Sequence, residues 1–89
     1  MRNEIELKPF IEKRFDVERG KTYVLKLHTE SDAVEAVDLV FIDGNNIEGS
    51  QNILIDKTGI RMIINALTNE CAITNMSDKY VYGYMEELA

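Results

Sequence analysis

Tryptophan is absent from this chain, and cysteine, proline and histidine occur once each, as Cys71, Pro9 and His28. A lone cysteine excludes an internal disulfide framework, so the expected setting is reducing and cytoplasmic. One histidine and one cysteine, 43 residues apart in the sequence, also exclude a closed zinc set built from those two residue types. No run of about 18 apolar residues occurs, and "MRNEIELKPF" lacks the apolar core of about 7 to 15 residues that a signal peptide carries. The chain therefore reads as neither exported nor membrane-spanning. Glycine-rich phosphate loops are missing too, since the spacing of Gly44, Gly49, Gly59 and Gly83 fits neither phosphate-binding pattern.

Basic residues are missing from one long stretch. Between Thr29 and Asp56 there are seven acids (Glu30, Asp32, Glu35, Asp38, Asp43, Glu48, Asp56) and no lysine or arginine. Residues 1–28 carry a net +2 and residues 29–89 a net −8, for −6 overall. Such asymmetry governs partners and association rates rather than fold. With 89 residues, 45% hydrophobic and 29% charged, the chain has the composition of a single globular domain spanning 1–89. At that size folding buries only about 60% of the surface of the unfolded chain.

In "EIELKPFIEKRFDV", Ile5, Leu7, Ile11, Phe15 and Val17 repeat at a period of two, as in a strand with one buried face. Phe10 breaks the pattern, and Pro9, which lacks an N–H, marks an edge or an interruption. "ERGK" supplies a turn, and "TYVLKLH" alternates Tyr23, Leu25 and Leu27 inward, which suggests a hairpin. "AVDLVFID" is apolar on both faces, with Val37, Leu39 and Phe41 on one and Val40 and Ile42 on the other, so it reads as a central strand or one whose second face meets another subunit. "DGNN" is a turn signal, and "QNILID" returns as a fourth strand. Asp56 suits a helix N-cap before Ile60, Ile63, Ile64 and Leu67, with Met62 on a flank. After Ser77, the residues Tyr80, Val81, Tyr84, Met85 and Leu88 form a second helical stripe, a hairpin of "YVYGYM" with "CAITNM" being the alternative.

The expected fold class is therefore α+β: a four-stranded antiparallel meander over residues 4–56, covered by one helix over 57–69, with a short C-terminal helix or hairpin. In order only, four strands then a helix resembles the single-stranded-DNA-binding transcriptional coactivator family.

No nucleophile has a base and an orienting acid in a recognisable arrangement, so no catalytic residue is assigned and the chain does not read as an enzyme. His28, Glu30 and Asp32 have strand-like spacing, and "DGNNIEG" offers oxygen donors, but neither makes a metal motif. No metal and no cofactor are expected. The "NMS" at Asn75 matches a glycosylation acceptor by composition alone. What remains is a small acidic intracellular protein-interaction module. It would dock on a basic surface of a partner protein through Glu35, Asp38, Asp43, Gly44, Asn45, Asn46, Glu48 and Asp56, the turn projecting. In general character it is similar to inhibitors encoded by phages and mobile elements: short, acidic, poor in cysteine and without a catalytic motif. The alternative is a single-stranded nucleic-acid-binding protein that uses Lys8, Phe10 and Arg14, although interleaved Glu12 and Asp16 and the charge of −6 oppose it. Val40, Ile42, Tyr80 and Tyr84 further suggest a symmetric homodimer.

Overall fold

Pro9 divides the N-terminal alternation into two strands that go to different sheets. The computed structural model describes residues 2–88, and among them there are eight strands and no helix: β1 (Arg2–Leu7), β2 (Glu12–Asp16), β3 (Thr22–Thr29), β4 (Glu35–Asp43), β5 (Asn46–Ile55), β6 (Ile60–Asn65), β7 (Glu70–Asn75) and β8 (Val81–Glu87). Two four-stranded antiparallel sheets result, ordered β1-β8-β3-β6 and β2-β7-β4-β5. Every connection except the β4–β5 turn carries the chain from one sheet to the other.

The pairings nest. Glu35 to Asp43 pair with Ile55 to Asn46, β3 pairs with β6, β2 with β7 and β1 with β8. The chain is thus one long antiparallel ribbon, folded back at Gly44 and wound into a two-layer sandwich. Two further pairings, β3 with β8 and β4 with β7, seal the windings together. At the fold-back, Asp43 and Asn46 are paired and Gly44 has φ 61°, the left-handed first position that a type II′ hairpin turn assigns to glycine.

The inner faces follow the period of two. Leu7, Leu25, Leu27, Val81 and Met85 from the first sheet meet Val37, Leu39, Ile73 and Cys71 from the second, all 0–1% exposed. The molecule is only 17 Å across its thinnest axis, which suits two layers packed about 10 Å apart. Truncating a leucine such as Leu25 or Leu39 to alanine in such a core costs about 2–5 kcal/mol.

Both expected helices are corrected to strands, and the α+β class with them. Ile60, Ile63, Ile64 and Leu67 satisfy a helical period, but Ile60, Met62, Ile64 and Ala66 satisfy a period of two, and β6 buries Ile64 while exposing Arg61 and Ile63. Gly59 decides between the periods, because its φ of 84° is incompatible with a helix. Asp56 caps a turn instead: its Oδ1 accepts from the amides of Thr58 (2.9 Å) and Gly59 (3.3 Å). In β8, Val81 and Met85 point inward and Tyr82, Tyr84 and Glu86 outward, so the stripe of Tyr80, Val81, Tyr84, Met85 and Leu88 does not form. The alternative hairpin with "CAITNM" fails as well, since β7 and β8 lie in different sheets. The meander is overturned too: β1 pairs with β8 and β2 with β7, so "ERGK" is a crossover between sheets and only the β4–β5 hairpin stands. The resemblance in element order to the coactivator family falls with the helix.

Candidate functional site: a tyrosine face on the first sheet

β8 runs second in its sheet, between β1 and β3, so its outward side chains lie in the middle of an open face. Cross-strand register then fixes their neighbours. Tyr82 stands between Glu6 on β1 and His28 on β3, and Tyr84 stands between Glu4 and Lys26, with Arg61 of β6 opposite Lys26. Each tyrosine therefore has a carboxylate on one side and a basic side chain on the other. The rings make specific contacts: Arg2 places its guanidinium 3.7 Å from the Tyr84 centroid, His28 lies 5.6 Å from Tyr82, and Tyr80 stacks on Tyr82 at 6.0 Å and 17°. Arg2 is also held by Glu4 at 2.8 Å.

Between the two rings lies a depression of about 340 Å³ whose lining includes Arg2, Glu4, Lys26, His28, Tyr82, Gly83 and Tyr84. Gly83 is required by a close approach of backbone. A Cβ there would lie 1.8 Å from the carbonyl oxygen of Lys26, so β8 can run this close to β3 only with glycine at that position. The chain's end of this aromatic row is fixed because buried Thr29 donates its hydroxyl to the carbonyl of Tyr80 at 2.8 Å.

The residues singled out from sequence are scattered. Asp43, Gly44, Asn45, Asn46 and Glu48 do share the exposed hairpin tip. Asp38 lies on the outer face of the second sheet, accepting from Asn52 at 2.8 Å. Glu35 pairs with Ile55 at the other end of the hairpin, beside Asp56, and accepts from Ser31 at 3.1 Å. Glu35 and Asp43 are the two ends of β4, eight steps or about 26 Å apart, so the residues from Glu35 to Asp56 form no single patch. Lys8 and Phe10 belong to the β1–β2 turn, while Arg14 projects from the second sheet and is held by Glu12 and Glu70, each at 3.3 Å. His28 lies 3.8 Å from Glu30, and among the described residues no group of three His, Cys, Asp or Glu could hold a metal ion. Asn75 is fully buried, which closes its "NMS" to any glycan in the folded state. The tyrosine face was missed because Tyr80 and Tyr84 were read at helical spacing. Their positions with Tyr82, two residues apart each, are the signal that a strand puts all three on one side.

No protein-family model matches the chain, and no curated protein matches it. Among solved structures 13 chains match. A de novo designed double-stranded β-helix superposes with a TM-score of 0.59 at 15% identity, over 99% of both chains. The fold is a double-stranded β-helix. Drosophila melanogaster CENP-C bound to CAL1 is similar with a TM-score of 0.53 at 18% identity, over 99% of this chain and 64% of that one. A CBM4 structure gives 0.52 at 10% identity, over 86% and 59%. At these identities the likeness is one of architecture.

The inner faces of this β-helix carry buried apolar side chains. Cys71, the one thiol, is buried on the inner face of β7; desolvation pushes its pKa up to about 12, with the Glu70 carboxylate adding to the rise. It is held as a neutral core residue, not as a nucleophile. Among the described residues no helix is long and apolar enough to cross a membrane.

Proposed function

We propose that this chain is a protein-binding module whose docking surface is the outer face of the first sheet, centred on Tyr82 and Tyr84. The observation that carries this reading is the concentration of three of the four tyrosines, together with Arg2, on one open face. Tyrosine and arginine dominate the energetics of protein interfaces because they bury large area at little entropic cost and keep a polar tip. The alternating charges around them supply register and specificity rather than raw affinity. A charge of −6 favours a basic partner, steered on approach by the acids of the β4–β5 hairpin, Asp43 and Glu48 among them. CENP-C, similar in fold, is bound to CAL1 in its solved structure; that is a property of CENP-C, and it accords with the reading without carrying it.

The test is capture on immobilised protein, compared across variants. A partner retained by the native chain should be lost from Tyr82→Ala/Tyr84→Ala while the thermal unfolding midpoint stays within a few degrees. Retention by that variant, with loss from Asp43→Lys/Glu48→Lys instead, would move the site to the hairpin tip. If single-stranded DNA is the material captured, and changing Lys8, Phe10 and Arg14 releases it, the protein-binding reading is wrong.

A further inference from the structure

The two sides of the sandwich are protected very differently. On one side the sheets end in β1 and β2, whose eleven residues include seven charges: Arg2, Glu4, Glu6, Glu12, Lys13, Arg14 and Asp16. On the other they end in β5 and β6, where sixteen residues include two, Glu48 and Arg61. An edge strand leaves alternate N–H and C=O groups unpaired, and proteins ordinarily guard it with lysine, proline or inward charge. β5 is ten residues long and has no lysine, arginine or proline. The edge strands of this side also expose large apolar side chains, Ile47 (69%) and Leu54 (61%) on β5 and Ile63 (50%) on β6, whereas on the other side such residues, Phe10 and Ile11, lie in the β1–β2 turn rather than on β1 or β2.

We infer that β5 pairs antiparallel with β5 of a second copy of this chain, joining the two second sheets into one eight-stranded sheet. The charge pattern suits this occupant. Gly49 to Leu54 contain no charge, so a two-fold axis near the middle of the strand sets no like charges opposite each other. Each Glu48 then falls against the apolar end of the other strand; it is also the extra residue of the β5 bulge opposite Phe41 and Ile42, which lies outside the uncharged segment Gly49 to Leu54. The pairing leaves Tyr82 and Tyr84 free, because they belong to the other sheet. It stands apart from the protein-binding reading and can fail without it.

Since two copies of charge −6 repel, the dimer should strengthen as salt rises, whereas docking on a basic partner should weaken. Light scattering at tens of micromolar protein should give about twice the monomer mass of 10.2 kDa. Ser50→Lys/Asn52→Lys, which brings like charges together at the axis, should return it to the monomer mass with an unchanged β-type circular dichroism spectrum. On the native chain, hydrogen exchange should slow at Gly49 to Leu54 with increasing concentration, and not in β1 or β2. A native mass of 10.2 kDa up to millimolar concentration, a dimer unaffected by the lysines, or exchange in β5 independent of concentration would each overturn the inference.

Discussion

The first and second sheets are built alike and pinned differently. In each, two edge strands flank a central pair, β8-β3 in one and β7-β4 in the other, and the inner faces are equally apolar. The first sheet depends on an absence, the missing side chain of Gly83, which lets β8 approach β3 closely. The second depends on a buried amide. Asn75 at the end of β7 donates to the carbonyls of Leu7 (3.2 Å), Lys8 (3.0 Å) and Lys79 (2.6 Å), and accepts from the amide (2.9 Å) and hydroxyl (2.8 Å) of Ser77. That one side chain ties the β1–β2 and β7–β8 crossovers together where the chain changes layers. One sheet is held by shape and the other by polar satisfaction, so substitutions should separate them.

Gly83→Ala should do the most harm. The added methyl collides with main chain, not with a movable side chain, and the cost should exceed about 3 kcal/mol, seen as loss of the cooperative thermal transition or a fall in the midpoint of well over 10 °C on the scaling of about 4–8 °C per kcal/mol. Asn75→Ala should cost about 3 kcal/mol, because buried carbonyls lose their donors; Asn75→Asp, which keeps the size and loses the donors, should be no better. If Asn75→Ala is tolerated within about 1 kcal/mol, water replaces the amide and the contrast between the sheets fails.

Cys71 sharpens the comparison through pH. Its thiol keeps its proton in the folded state until about pH 12 but loses it near 9 when unfolded, so above pH 9 the unfolded state holds fewer protons and stability falls as pH rises. The slope contributed by this one group approaches about 1.4 kcal/mol per pH unit. Chemical denaturation of native protein and Cys71→Ala between pH 8 and about 11 should show the slope reduced in the variant. The smallest effect is expected outside both sheets: Phe10 has φ 59° and is 66% exposed, so Phe10→Gly should relieve strain and stabilise by about 1 kcal/mol, read from the denaturation midpoint.

Much of this architecture was legible as faces and little of it as partners. The inward sets Ile5/Leu7, Tyr23/Leu25/Leu27 and Val37/Leu39/Phe41 follow from alternation, and all are buried; Ile11, assigned to the same set, is 48% exposed because it leaves the turn after Pro9. The hairpin at Gly44 is legible because its pairing is local. What the sequence hid is pairing between its distant ends, such as Ile5 with Gly83, for which no local residue pattern exists. Helix and strand compete over 57–69 because its isoleucines satisfy both periods. The left-handed need of Gly59 and the β-branching of Ile60, Ile63 and Ile64 were the physical reasons to prefer a strand. Of the candidate site, the hairpin tip was recognised as a projection, and the tyrosine face was not, since it exists only once β1 and β3 flank β8.

The nested ribbon also orders the events of assembly. The β4–β5 turn closes a loop of two residues, Gly44 and Asn45, at small entropic cost, and each further pair, β3 with β6, then β2 with β7, then β1 with β8, extends an existing ribbon and encloses only a short new loop. Pairing remote strands is then as inexpensive as zipping a hairpin, provided it starts at Gly44. The seams of β3 with β8 and β4 with β7 are of another kind: they require the ribbon to coil on itself. Folding should therefore be rate-limited by coiling rather than by the first encounter of the chain's two ends.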